Sequence, residues 1–179
     1  MQKKYRPCAG AVVFNKDGNV LLGSRIDTST DDWQFPQGGI NKNETPAQAA
    51  KRELFEEMNI SSVKLVYIDK EPMCYEFPLN IKENFRKKGI FFDGQEIYFG
   101  LFFFNGSVDE ISVHTSFPEF KNYEWNSIDS AVSRVVEFKK DVYINLAKKF
   151  TPLIKQYLEN LSWYLNRLGL NLGYKYKDG

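Results

Sequence analysis

Three glutamates, Glu53, Glu56 and Glu57, fall within the run RELFEEM, and Arg52 stands immediately before them. On a helix, positions three and four apart are surface neighbours, so these carboxylates share one face and Arg52 lies beside Glu56. Carboxylates crowded in this way repel one another unless a cation sits among them. Hard divalent ions take oxygen ligands, and magnesium typically binds a few carboxylates, retained waters and substrate phosphates. In phosphoryl chemistry such an ion neutralises developing charge, orients phosphates and acidifies a bound water. Gly38 and Gly39, just upstream, permit close approach of backbone to a metal or phosphate. A charge run alone is ordinarily a solvated helix face, in roughly four cases of five. The flanking Gly-Gly and Arg shift the weight toward chemistry.

The helix that must carry these residues is well signalled. Thr45 is a good N-cap, Pro46 suits the first helical position, and Gln48 completes a capping box with Thr45. Ala47, Ala50, Leu54 and Met58 then form a narrow apolar stripe fit to pack on a sheet, over a helix spanning 46–58. Around it, 8–14 and 20–26 read as a β-hairpin about the Asp17-Gly18 turn. Residues 63–69 form a further strand, 97–105 a long aromatic strand central in a sheet and covered on both faces, and 123–125 a short last strand. The stretch 76–94, with Arg86, Lys87 and Lys88, reads as a mobile basic loop, its cations solvated by default and able to attract phosphates. An amphipathic helix begins near Phe138, with apolar positions running from Val142 to Leu168. Pro152 should end or kink it near Phe150, leaving Thr151 as a new N-cap. That stripe reads first as intramolecular packing and second as a dimer contact. Strands followed by helices point to an α/β fold, a sandwich with a mixed sheet.

Composition narrows the function classes. The 179 residues suit one domain with a real core, and the formal charge of +1 means that anion binding must come from local clustering. The aromatic excess reads as core filling with a stacking surface second. Cys8 and Cys74 lack CxxC spacing, so buried free thiols are expected rather than a disulfide or zinc site. There is no secretory signal and no apolar run of spanning length, and a cytoplasmic location follows by default. His114, the single histidine, lacks a nucleophile motif and reads as a surface residue. Trp33 reads as core, with the edge of a pocket second.

The stretch 35–60, FPQGGINKNETPAQAAKRELFEEMNI, resembles the Nudix box, with Gly38, Glu44, Arg52, Glu53, Leu54, Glu56, Glu57 and Ile60 at the matching positions. Six fixed positions at about one in fifteen each would coincide by chance on the order of once in 10⁵ chains of this length. The one departure is Asn59, where the family has glycine; asparagine is the next-best residue for a left-handed helix end, so a modest cost is expected. Further segments, Tyr5-Arg6-Pro7, WQFPQGGI from Trp33, Pro118-Glu119-Phe120 and VEFKKDVY from Val136, resemble bacterial RNA pyrophosphohydrolases, a group overlapping dinucleoside polyphosphate hydrolases. The likeness covers about residues 4–150, giving a Nudix domain over 1–150 and a C-terminal helical extension over 151–179.

The resemblance implies a Nudix fold, an α/β/α sandwich with a mixed central β-sheet, and Mg²⁺ as cofactor, with Mn²⁺ or another divalent ion able to substitute. Glu53, Glu56, Glu57 and Glu119 would bind the metal with the Gly38 carbonyl. Arg52 would orient the glutamates by ion pairing, and Glu44 would support the box. Glu53 or Glu119 would serve as base, with Glu57 and Arg52 also counted in the catalytic set. Arg25 and Phe138 match positions that sandwich a base, an arrangement that aromatic and guanidinium groups suit on general grounds; core packing explains Phe138 equally well. Arg6 and either Lys139 or Lys140 match phosphate-contacting positions. The implied activity is removal of phosphates from RNA 5′ ends to leave a monophosphate. Cleavage of diadenosine polyphosphates is the alternative, and a non-catalytic nucleotide- or RNA-binding module is the third reading. The partner expected is an RNA 5′ end or a nucleoside polyphosphate, with neither DNA nor membrane; a monomer is expected, with a homodimer second.

Overall fold

The structure is a computed structural model describing residues 3–27, 32–116 and 118–170. Strand β1 (Tyr5–Phe14) turns at Asn15–Asn19 into β2 (Val20–Arg25), the hairpin expected from the sequence. Short strands β3 (Trp33–Gln34) and β4 (Gln37–Gly39) precede helix α1 (Pro46–Met58). Then come β5 (Val63–Ile68), β6 (Met73–Glu76), α2 (Leu79–Lys87), β7 (Gly94–Phe104), β8 (Phe120–Asn126), α3 (Ile128–Arg134) and α4 (Lys140–Arg167). The sheet order is β3-β2-β1-β7-β5, with β4 on β1, β6 on β7 and β8 on β2. Because β1 and β7 run parallel while the other pairs are antiparallel, the sheet is mixed.

Strand periodicity divides the core into two layers. Along β1, Cys8, Val12 and Phe14 face the side covered by α4, whereas Ala9, Ala11 and Val13 face α1. Strand β7 alternates likewise, with Phe99 and Leu101 toward α4 and Phe102 and Phe104 toward α1. Its burial on both faces explains why that segment reads as an unbroken apolar run. Helix α1 begins with the expected capping box: the Gln48 amide donates to the Thr45 hydroxyl, and the Gln48 side chain accepts from the Thr45 amide at 2.9 Å. Ala50, Leu54 and Met58 pack on the sheet as expected; Ala49 joins them, and Ala47 is only half-buried. The helix closes at Asn59 in the left-handed conformation (φ 58°), and the Asn59 side-chain Nδ2 donates to the Glu110 backbone carbonyl at 3.1 Å, a tether that glycine could not make.

Four expectations need correcting. The region 76–94 is not a loop, because α2 occupies its centre: Ile81 and Phe85 give an i, i+4 apolar pair packed against the core, and Gly89 (φ 74°) follows the C-cap. Glu76 belongs to β6. Helix α4 continues through Pro152 instead of stopping near Phe150, and Thr151 lies inside it. Proline removes one intrahelical hydrogen bond, but Phe150, Ile154 and Leu158 are buried on either side of it and hold both halves to the same core. The apolar stripe does not pack throughout, since Leu168 is exposed. Cys74 is exposed as well, and only Cys8 is a buried thiol. His114 is exposed as expected. No helix among the described residues is long and apolar enough to cross a membrane.

Burial along α4 sets a gradient that unfolding experiments can read. Leu158→Ala should cost about 2–5 kcal/mol in urea denaturation, whereas Leu168→Ala should stay within about 0.5 kcal/mol of the parent. Equal effects at the two positions would contradict the packing described for the helix beyond Pro152.

Candidate active site

Arg52 is the hub of the acidic helix. Its guanidinium forks onto Glu44, with Nε and Nη2 each donating to one carboxylate oxygen at 2.9 Å. Nη1 donates to Glu53 at 2.6 Å and to Glu56 at 3.0 Å, and Nη2 also reaches the Gly39 carbonyl at 2.8 Å. One cation therefore fastens three carboxylates and the strand before the helix. Hydrogen bonding from Arg52 draws the Glu44 carboxyl below its ordinary range, and the Asn41 amide adds to the effect. The bidentate fork needs a planar guanidinium, and lysine could not reproduce it.

The two glycines make room for side chains. A Cβ at Gly38 would collide with the Glu53 carboxylate, and a Cβ at Gly39 would collide with the Arg6 guanidinium. Strand β4 pairs with β1 through Cys8–Gly39 and Ala9–Gly38, so Arg6 at the start of β1 falls over the same backbone. The Glu53 carboxyl is pushed upward by burial, an effect that Arg52 opposes and the charges of Glu56 and Glu119 reinforce.

Glu57 is in the most costly position. It is 2% exposed, its Oε2 accepts from the Gln37 backbone amide at 3.3 Å, and its Oε1 has no hydrogen-bond partner among the described residues. Burial first, then the charges of Glu119 and Glu53, raise its pKa well above the usual carboxylate range. A buried carboxylate oxygen with no donor, beside two further carboxylates, suits a hard divalent cation. By its donor chemistry the cluster fits such an ion, since Glu57 feels the charges of both Glu119 and Glu53. Glu56 is set apart, exposed on the helix and turned to Arg52. Among the described residues no three acidic, His or Cys side chains are already grouped as a metal site.

These groups border a cleft of about 690 Å³ lined by Gly38, Glu53 and Glu119 on the acidic side. The β2–β8 ladder pairs Arg25 with Phe120, which carries the neighbouring Glu119 to Arg25 at 3.5 Å. Arg25 is also clamped by both oxygens of Asp27, at 2.6 and 2.7 Å. Phe138 lies in a 3-10 turn (Glu137–Lys139) before α4 and packs against Tyr75 and Phe77 at 5.6 and 6.5 Å while still lining the cleft. Arg6, Arg25, Phe138 and Lys139 all line the cleft; Lys140 does not, and pairs with Glu137 at 3.4 Å. Lys139 is buried, donates to Gln34 Oε1 at 2.9 Å, and burial lowers its pKa to about 8. Trp33 is buried at the cleft wall, with the Arg134 guanidinium over its ring at 4.1 Å.

Residue-by-residue reading of the sequence did not single out the polar floor. Gln34 and Gln37 are buried, and Gln34 Nε2 and Gln37 Oε1 have no hydrogen-bond partner among the described residues. Gln37 Nε2 donates to Gln95, which also bonds the Tyr75 phenol. The available signal was amide side chains set among Trp33, Phe35 and Pro36, where a core strand would carry apolar ones.

The NUDIX domain family pattern matches residues 4–146. The RNA pyrophosphohydrolase of Wolbachia pipientis subsp. Culex pipiens (strain wPip) is 38% identical over 158 residues, covering 86% of this chain and 94% of that protein. The RNA pyrophosphohydrolase of Rickettsia prowazekii (strain Madrid E) is 36% identical over 156 residues, covering 84% and 92%. Among solved structures, the E. coli dihydroneopterin triphosphate pyrophosphohydrolase superposes with a TM-score of 0.60 at 21% identity, covering 88% of this chain and 99% of that one. A C. elegans Ap4A hydrolase binary complex gives 0.58 at 21% identity, covering 88% and 98%. At that identity the structural likeness concerns the fold.

The strain at Glu57 has a measurable sign. Its folded pKa lies above the unfolded value near 4.5, so the native state holds more protons between the two. The stability of metal-free protein should therefore fall as pH rises through that interval. With chelator at pH 8, Glu57→Gln should melt above the parent, by about 2–4 °C for each kcal/mol relieved, and the gap should close toward pH 4. A variant melting below the parent at pH 8 would contradict this assignment.

Proposed function

The chain belongs to the NUDIX domain family, and from that premise we propose that it is a magnesium-dependent RNA 5′ pyrophosphohydrolase that converts triphosphorylated 5′ ends to monophosphates. The observation that carries the reading is the Oε1 of buried Glu57, unpartnered among the described residues and repelled by Glu119 and Glu53, next to a cleft that also presents Arg6, Arg25, Lys139 and Phe138. The choice of RNA as substrate is supported by RNA pyrophosphohydrolases at 38% and 36% identity that this chain spans almost from end to end.

Glu53, Glu57 and Glu119 would hold the divalent ion, with the Gly38 carbonyl beside them. When bound, such an ion, magnesium or manganese, supplies charge neutralisation at the phosphates and acidifies a water. The chain's own groups do the remaining work. Phe138 and Arg25 bracket the cleft where an unpaired 5′ base can stack. Arg6 and Lys139 stand where they can pair with the phosphates, and a Lys139 pKa of about 8 leaves it mostly cationic at neutral pH. Water attacks phosphorus, the anhydride P–O bond breaks, and the leaving phosphate or pyrophosphate carries away the electron pair. The proton of the attacking water goes to a carboxylate that reaches the cleft. Of the four glutamates assigned to the site, Glu53 and Glu119 line it, whereas Glu56 and Glu57 do not. Arg52 is a positioning residue: it touches the carboxylates, and it fixes the side chain of Glu53 relative to Gly39.

Incubating a 5′-triphosphorylated RNA oligomer and diadenosine tetraphosphate at equal concentrations tests the reading. With magnesium, the oligomer should yield a 5′-monophosphate end; chelator should stop turnover, and either magnesium or manganese should restore it. Glu53→Gln and Glu57→Gln should each lower kcat by about 10² or more. Cleavage of the dinucleotide with the oligomer left intact would replace this reading with the polyphosphate hydrolase one. Turnover on no nucleoside polyphosphate would favour a binding module.

A further inference from the structure

Helix α2 walls the mouth of the cleft, and one of its faces grades from apolar to cationic. Ile81, Asn84, Phe85 and Lys88 recur at i, i+3, i+4 and i+7, and all four line the cleft. Phe85 meets Phe77 edge-on at 5.1 Å, and Phe77 meets Phe138 at 6.5 Å. An aromatic wall thus runs from the proposed base site to α2 and ends at a lysine. Two other cations of the helix are already engaged: Lys82 with Glu76 at 3.2 Å, and Arg86 with Asp93 at 3.9 Å. Lys87 and Lys88 are exposed and have no carboxylate partner among the described residues. Cations at a helix C-terminus offset its dipole, but Arg86 is already there, and that role does not need a lysine facing the cleft. Phe91, three residues beyond Lys88, is 67% exposed.

Building on the RNA reading of the cleft, we propose that Asn84, Lys87 and Lys88 hold the sugar–phosphate backbone of the RNA strand as it leaves the site. They would contact phosphodiesters on the 3′ side of the first nucleotide, and Phe91 would offer a face for an unpaired base. The chemistry distinguishes substrates. An RNA chain carries phosphates beyond its first nucleoside, whereas the phosphates of a dinucleoside polyphosphate all lie in the one bridge between the two 5′ positions. With a net charge of +1 the chain has no global field to gather a polyanion, so attraction for the strand must come from local unpaired cations. Helix α2 thereby acts as a specificity element separate from the reacting centre.

The test compares the parent protein with the Lys87→Ala/Lys88→Ala double variant on a triphosphorylated RNA hexamer and on diadenosine tetraphosphate, across a salt series. Both lysines are exposed, and matching melting curves would establish an intact fold. The ratio of kcat/KM for the hexamer to that for the dinucleotide should fall on the order of tenfold at low salt in the variant. The log–log salt dependence for the hexamer should become shallower by about 1.4, which is ~0.7 for each of two single-strand phosphate contacts. An unchanged ratio and slope in the variant, with the parent cleaving the hexamer, would overturn the role of α2 alone. A parent protein that cleaves the dinucleotide and ignores the hexamer would overturn the RNA reading and this inference with it, before any variant is measured.

Discussion

A carboxylate held out of water with an oxygen that nothing donates to must acquire either a proton or a cation. Glu57 is in that position, and the neighbouring structure keeps it there. Leu54 and Met58 bury the adjoining face of α1 against the sheet, so the helix cannot turn Glu57 outward without exposing its own anchor. Arg52 ties Glu53 to Glu44 and to the Gly39 carbonyl, fixing the second carboxylate relative to β4. The like charges of Glu53 and Glu119 raise the cost further. Metal-free, this arrangement is strained; with a divalent ion among the same oxygens the repulsion becomes ligation.

The rest of the fold brings cationic and aromatic groups to the same cleft. Parallel pairing of β1 with β7 builds the sheet centre on which both helical layers rest. The β2–β8 ladder joins Arg25 to Glu119 across the chain, and the bulge between Ser24 and Arg25 falls at that junction. The turn before α4 presents Phe138 and Lys139. A single cleft therefore collects carboxylates, guanidinium and ammonium groups and aromatic rings. That combination suits a substrate whose phosphates need both a metal and cations and whose base needs a stacking surface.

Much of this was legible because it depended on local chemistry. The Thr45–Gln48 capping box, Pro46 at the helix start and the left-handed Asn59 are set by side chains a few residues apart, and the structure has them all. The strands containing Val12 and Phe99 were readable from their apolar runs. Helix α2 escaped notice because its apolar content is sparse: none of its residues is fully buried, and Ile81 and Phe85 lie among charged neighbours that read as solvated loop. Continuity through Pro152 depends on long-range burial of Phe150, Ile154 and Leu158, which outweighs the local penalty. Spacing showed that Glu53, Glu56 and Glu57 share a helix face, but not that Glu57 is enclosed and Glu56 exposed; that follows from the docking of α1 on the sheet, which sets Glu57 beside the Gln37 amide of β4. The choice between Lys139 and Lys140 likewise turned on which residue the short turn before α4 aims inward.

The most direct test of the central claim is an anomalous difference map from crystals of the protein soaked in manganese. The account requires a peak touching the carboxylates of Glu53 and Glu57, with Glu119 adjoining, and loss of that peak in crystals of Glu57→Gln. A peak confined to other carboxylates, with Glu57 Oε1 still lacking any partner, would contradict it.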